Sequence, residues 1–147
     1  GTLDGRCTLL VPFQDPANVG AVIRSAAGFG VGKVVMLKGA ASPYHPRSVR
    51  TSGGAVFKIP INAGPSIEEL AGMAERGLPV VALDREGVPI ESFTCPPQFA
   101  LLPGIEGPGL PAAMRHNAVS IPISGAIESL NAAIAASIAL YAFCRDG

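Results

Sequence analysis

The chain has 147 residues, 48% of them hydrophobic and 15% charged, with 18 glycines, 14 prolines and no tryptophan. That length suits one domain with its own core, and that composition excludes a disordered chain. Eleven basic side chains balance eleven acidic ones, so net charge supplies no general attraction to nucleic acid or to a membrane surface.

In chain order, CTLLVPF (7–13) reads as a buried strand. DPANVGAVIRSAAGFG (15–30) reads as a helix, with Asp15 at its N-cap, Pro16 in its first turn and Gly28 or Gly30 at its end. KVVMLKG (33–39) is a second strand, and 41–55 is a loop with one helical turn near 46–51. VFKIPI (56–61) is a short strand placed near an edge by its proline. SIEELAGMAERG (66–77) opens on Ser-x-x-Glu and closes on Gly, the pattern of a helix with a capping box. PVVALD (79–84) is a strand, followed by a polar, proline-rich loop to about residue 97. FALLPG (99–104) and AVSIPI (118–123) are strands around the loop IEGPGLP (105–111), and a helix over 127–145 closes the chain.

Alternating helices and continuously apolar strands predict an α/β fold with a mostly parallel sheet covered on both faces. Ligands of such sheets sit beyond the carboxyl ends of strands. Three loops leave strands there with unusual chemistry: 14–20, 103–111 and 122–131. Cys7, Cys95 and Cys144 are odd in number, far apart and remote from His45 and His116, and no C-x-x-C pair is present. Metal binding is therefore not expected, and reduced thiols of a cytoplasmic protein are. No signal-peptide pattern opens the chain. Asn131 and Ser137 break the last apolar stretch, which favours burial in protein over a membrane span of about 20 apolar residues.

Gly20, Arg24 and Gly28 recur at steps of four on one face of the first helix. The glycines leave room beside Arg24 for a ligand or a second backbone; equally, Arg24 snorkels to water or pairs with a structural carboxylate. Asn18 alone reads as a capping residue. In LLPGIEGPGLP (101–111), Gly104, Gly107 and Gly109 allow close backbone approach to a ligand, or simply make a tight turn. The loop is neither a phosphate-binding P-loop nor a dinucleotide fingerprint, because no Gly-Lys-Ser/Thr follows and three prolines interrupt it. The closing helix carries one stripe of Leu130, Ile134, Ile138 and Tyr141 and another of Ala132, Ala135 or Ala136, Ala139 and Ala142. One stripe packs on the sheet; the small one is the expected seat for a neighbouring helix or subunit. Glu128, Ser129 and Asn131 in its first turn are either caps or the floor of a site.

Taken together and in order, these stretches resemble the SpoU-type RNA 2′-O-ribose methyltransferases of the SPOUT superfamily. DPANVGAVIRSAAGFGV is similar to the first motif of that family, SPYHPRSVRTSGGAVFKIPI to the segment after it, LLPGIEGPGLP to the second motif and VSIPISGAIESLNAAIAASIALYAF to the third. The resemblance implies a sheet whose C-terminal part, roughly 101–145, is tied in a deep trefoil knot. It implies S-adenosylmethionine as methyl donor, an RNA substrate, ribosomal or transfer, and a homodimer with the active site at its interface. Residue by residue, it assigns Asn18, Arg24, Glu106, Ser129 and Asn131 to catalysis. It assigns cofactor contacts to Leu83, Leu102, Pro103, Gly104, Ile105, Glu106, Gly107, Ile121, Ile123 and Leu130. Ile105 departs from the small polar residue common there, so its backbone is the expected contact.

The resemblance casts Arg24 as proton acceptor. A guanidinium with a pKa above about 12 gives up its proton with difficulty, so the expected role is to stabilise the developing alkoxide, with or without taking the proton. The neutral chain is expected to be a catalytic domain over 1–147 whose RNA-binding extension lies outside it, with Arg24, Arg47, Arg50 and Lys58 as a local basic patch. Two rival readings are a non-catalytic SPOUT-like dimer that binds RNA or a nucleotide, and an ordinary doubly wound nucleotide-binding protein.

Overall fold

The computed structural model describes residues 5–105 and 109–144. Its strands are β1 (Cys7–Val11), β2 (Lys33–Met36), β3 (Ile61–Ala63), β4 (Val80–Pro89), β5 (Phe99–Leu102) and β6 (Ala118–Ser120). They form one sheet in the order β3-β2-β1-β5-β4-β6, and every neighbouring pair is parallel. The helices are α1 (Pro16–Gly28), α2 (Pro46–Ser52), α3 (Ile67–Glu75) and α4 (Ala132–Cys144).

Strand residues alternate between two apolar clusters, which is why the strands read as unbroken apolar runs. Leu9, Val11, Phe99 and Leu101 pack with Val19 and Ile23 of α1 and Ala136 and Leu140 of α4. Leu10, Ala100 and Leu102 pack on the other face with Leu70 of α3 and Met114. Truncating a fully buried leucine such as Leu101 to alanine costs about 2–5 kcal/mol in such a core.

Local signals set the helix starts. The Asp15 carboxylate accepts from Ala17 N at 2.9 Å, and Pro16 occupies the first turn. Ser66 and Glu69 form the full capping box, each bond 3.1 Å. A cap of this kind contributes about 1 kcal/mol.

Three sides of α1 are in use. Val19, Val22, Ile23 and Ala26 face the core. Gly20 faces α2, where a Cβ would collide with Thr51 Oγ1 and the Ser48 carbonyl and lie 2.9 Å from Ser52 N. Ser25 and Phe29 face α4, through a 2.6 Å Ser25–Ser137 hydroxyl hydrogen bond and an edge-on Phe29–Tyr141 ring contact.

Several elements differ from expectation. Residues 55–57 form a 3-10 turn instead of a strand, because Gly53 and Gly54 (φ 61° and 85°) turn the chain out of α2 and bring Ala55 and Val56 into the core. The edge strand follows at Ile61–Ala63. β4 runs on to Pro89 through a bulge, since Leu83 and Val88 both lie opposite Val119. β6 stops at Ser120, ahead of Pro122, which has no N–H to give the ladder.

α4 begins at Ala132, not at 127: the Asn131 side chain accepts from Ala133 N at 2.9 Å and Ile134 N at 3.1 Å, so Glu128 and Ser129 precede the helix. Of the two stripes of α4 the small one is buried at Ala136 and Ala139, beside the neighbouring helix α1, and the large one is not. Ala133, Ala136, Ala139, Leu140 and Phe143 face inward, whereas Ile134, Ile138 and Tyr141 are exposed. Small residues let α4 close on α1 and the sheet, where Phe99 and Leu101 already fill the volume.

The three cysteines are free thiols. A hydrogen bond with Cys144, together with burial, pushes Cys7 far above the ordinary thiol range; the same bond lowers Cys144. Burial pushes Cys95 up to about 11. Cys7 and Cys95 therefore keep their protons at neutral pH and are poor nucleophiles. Among the described residues no group of His, Cys, Asp or Glu is arranged to hold a metal, and no helix is long and apolar enough to cross a membrane.

Candidate active site

Beyond the carboxyl ends of β5 and β6, and beside the bulge of β4, lies a cavity of about 640 Å³. That is the size and place of a small-molecule site in a parallel sheet. Leu83, Val119, Ile121, Leu130 and Ala135 supply its apolar lining, and Asp84, Ser120, Ser124, Glu128 and Ser129 its polar atoms. Gly104 forms part of the wall, and a Cβ there would stand 3.2 Å from the Leu83 carbonyl oxygen. Any side chain would therefore press on β4 where the cavity begins.

Of the expected cofactor contacts, Leu83, Gly104, Ile105, Ile121, Ile123 and Leu130 line the cavity. Leu102 does not: it is turned into the cluster of Leu10 and Leu70 beneath. Pro103 is buried and also off the wall. Glu106 and Gly107 lie outside the described residues.

Asp84, Arg85 and Pro89 line the cavity as well, and the sequence reading missed them. The bulge turns this stretch out of the ladder and toward the site. Its signal was the Asp-Arg-Glu-Gly run after an apolar strand, which reads equally as a plain turn. Gly87 makes the close pairing possible, since a Cβ there would collide with the backbone of Ala118 and Val119.

Asn18 and Asn131, 113 positions apart, meet directly: Asn131 Nδ2 donates to Asn18 Oδ1 at 3.2 Å. Asn131 thus caps α4 with its oxygen and ties α4 to α1 with its nitrogen. Ser129, two residues earlier, is exposed on the cavity wall. Of this polar cluster Asn131 is the cap, and neither it nor Asn18 is part of the cavity wall, whereas Glu128 and Ser129 are.

Arg24 stands elsewhere on α1. It is exposed on the α2 side of α1 and is not part of the cavity wall. Its guanidinium lies over Gly53, with Nη1 3.4 Å from where a Cβ would stand. Among the described residues it has no hydrogen-bond or ion-pair partner, so no structural carboxylate accounts for it.

Comparison with known proteins bears on this arrangement. A family model described as the SpoU rRNA methylase family matches residues 6–141. A protein of Syntrophobacter fumaroxidans named ribosomal RNA small subunit methyltransferase G 2 is 52% identical over 96% of this chain, which spans 28% of that protein. The SpoU methyltransferase AviRb of Streptomyces viridochromogenes, solved in complex with its cofactor AdoMet, is 35% identical, with a TM-score of 0.78 over 99% of this chain and 59% of its own. A structure described as an RNA 2′-O ribose methyltransferase is 31% identical, with a TM-score of 0.81 over 98% of this chain and 57% of its own. The chain thus spans less than two thirds of each of these relatives. With a match over nearly its whole length and the parallel sheet to go with it, the chain belongs to the SpoU rRNA methylase family.

Proposed function

We propose that this chain binds S-adenosylmethionine in the cavity beyond β5 and β6 and, as the catalytic part of a homodimer, methylates a ribose 2′-hydroxyl of ribosomal or transfer RNA. The observation that carries the reading is the convergence of three separate stretches on one edge of the sheet. Gly104 opens the cavity wall, Ser129 continues it, and the Asn18–Asn131 hydrogen bond joins the first motif to the third. The cofactor of AviRb and the description of the 2′-O ribose methyltransferase support it.

The lining fits such a ligand. Leu83, Ile121 and Leu130 offer an apolar surface for a purine, the backbone around Gly104 and Ile121 offers donors and acceptors, and Ser124, Glu128 and Ser129 can bind a charged amino-acid tail. When bound, S-adenosylmethionine supplies an electrophilic methyl group on a sulfonium.

The chain's own task is to place and activate the hydroxyl. As the ribose oxygen takes the methyl group and the sulfonium C–S bond breaks, its proton passes to solvent water; Arg24 offers fixed positive charge to that oxygen, and a positioned donor of this kind lowers a barrier by about 3–4 kcal/mol. Asn18 and Asn131 hold the start of α1 against the start of α4, and Ser129 and Glu106 orient Arg24 or the ribose. Holding the reactants together is worth about 7–11 kcal/mol where geometry is good.

Because Arg24 is off the wall of its own cavity, a second copy brings it to the site. The exposed Ile134, Ile138 and Tyr141 of α4, beside Phe29, offer that copy an apolar seat. On this reading residues 101–145 carry the trefoil knot, the protein works in the cytoplasm, and an extension outside residues 1–147 supplies most of the RNA affinity.

Calorimetry with S-adenosylmethionine, NAD and ATP tests the first step: heat with the first alone is expected, and binding of NAD or ATP instead sinks the reading. Methylated RNA digested to nucleosides should then yield 2′-O-methylated ribose; a methylated base would remove the ribose assignment.

A further inference from the structure

The chain is neutral as a whole but not along its length. Between Asp15 and Glu68 it has no carboxylate and six basic residues: Arg24, Lys33, Lys38, Arg47, Arg50 and Lys58. Lys38 is paired with Glu69 at 3.0 Å. Arg47, Arg50 and Lys58, on α2 and just past the 3-10 turn after it, are exposed. In their midst are two aromatic residues that the fold does not bury, Tyr44 at 55% and Phe57 at 70% exposure. Their rings stack, with centroids 6.2 Å apart and planes 26° from parallel. Two large rings at such exposure shelter each other only in part, and the core gains little from them.

Their mount is well fixed. Tyr44 N donates to Ser42 Oγ at 3.1 Å, and Ser48 Oγ bonds the carbonyls of both Ser42 and Pro16, at 2.9 and 3.0 Å. Ala41 N donates to the Phe13 carbonyl at 2.8 Å, and Thr51 Oγ1 to that of Ala17 at 3.1 Å. Tyr44 is therefore tied, through α1's first turn, to the residue before Asn18. The ring pair and the Asn18–Asn131 contact belong to the same edge of the molecule.

We propose that Tyr44 and Phe57 form a stacking platform for an unpaired base of single-stranded RNA, with Arg47, Arg50 and Lys58 holding phosphates on either side of it. This rests on the RNA methyltransferase reading and deepens it: the RNA next to the acceptor nucleotide is single-stranded where it meets α2. Every base offers a face to an aromatic ring, and aromatic rings set among cations are how proteins hold single strands. Charge decides against a second copy as occupant, since a two-fold contact through this face would set the same cations against themselves.

The test is photocrosslinking of the full chain to single-stranded RNA containing 5-iodouridine, mapped by mass spectrometry, with S-adenosylmethionine calorimetry alongside. Crosslinks on Tyr44 or Phe57 are expected, and none there with the same sequence as a duplex. Tyr44→Leu with Phe57→Leu should abolish them and weaken RNA binding about tenfold per ring, whereas Tyr44→Phe keeps both. Cofactor binding should stay unchanged in every variant, which also confirms folding. Crosslinks mapping only elsewhere, or none at all, on a chain that still binds cofactor overturn the platform and leave the methyltransferase reading standing. Loss of dimer mass in the leucine variant, with crosslinks unaltered, overturns it in favour of a subunit contact. A chain that binds neither cofactor nor RNA overturns both proposals.

Discussion

The α1–α2 corner and the cavity wall over 121–131 share one edge of the sheet but are built in opposite ways. In the corner, Gly20 lets the α2 backbone press against α1, Ser48 is fully buried, and its hydroxyl and that of Thr51 lock onto α1 carbonyls. On the wall, every residue from 122 to 129 is exposed, and an Ala126 N to Ser124 Oγ hydrogen bond of 3.3 Å stands in place of regular structure. The difference separates two tasks. The corner holds groups at fixed positions. The wall can adjust around a ligand that fills it.

The sharpest break of this comparison is Arg24→Ala. It should cut methyl transfer about 10²–10³-fold, with S-adenosylmethionine affinity in calorimetry unchanged. Arg24→Lys should not restore the rate, because an ammonium lacks the planar fork of donors. Next comes Gly20→Val, which drives a side chain into α2. It should cost about 1–3 kcal/mol in chemical denaturation, whereas an equal change at Gly125, with nothing within 4 Å, should cost far less.

Asn131→Ala removes the α4 cap and the tie to Asn18, for about 1 kcal/mol of stability. Asn131→Asp keeps the cap but loses the donor to Asn18 Oδ1. A fall in activity with stability retained would assign the tie, and not the cap, to catalysis. The smallest effect concerns Glu69, far from both regions. Hydrogen bonds from the Ser66 backbone and side chain and from Lys38 hold its carboxyl down at about 2, from an ordinary 4.5. Its contribution is thus complete above pH 4.5 and fades as pH falls toward 2. Glu69→Gln should flatten that part of the pH–stability curve.

Elements with a local signature were legible in the sequence. Asp15-Pro16 started α1 and Ser66-x-x-Glu69 started α3 because a cap acts within its own turn. Apolar runs, broken in β1 only by Thr8, identified β1 and β5, each buried along its whole length. Tertiary contacts decided the rest. Glu128 and Ser129 look like a helix start, but Asn131 takes the cap. Which stripe of α4 turns inward depends on the volume left by Phe99 and Leu101, which no window of α4 reveals. The β4 bulge needs Gly87 against β6, 31 residues further on at Ala118, and looked like a loop. Of the residues the motifs singled out, Gly104, Ile121 and Ser129 line the cavity, and Asn18 and Asn131 meet each other off its wall. They did not reveal that Arg24 stands off the cavity wall, because a helix face shows its direction only once α2 is packed beside it.

The sheet order also sets when this chain can fold on the ribosome. β5 is made after β1, β2, β3 and β4, yet it lies between β1 and β4, pairing Cys7 with Phe99 and Val80 with Ala100. At ordinary translation speeds β1 waits roughly 5–20 s for that neighbour to be synthesised. During that interval one edge of β1 and both edges of β4 stand open, so a nascent chain stalled before residue 99 should be a preferred target for chaperones.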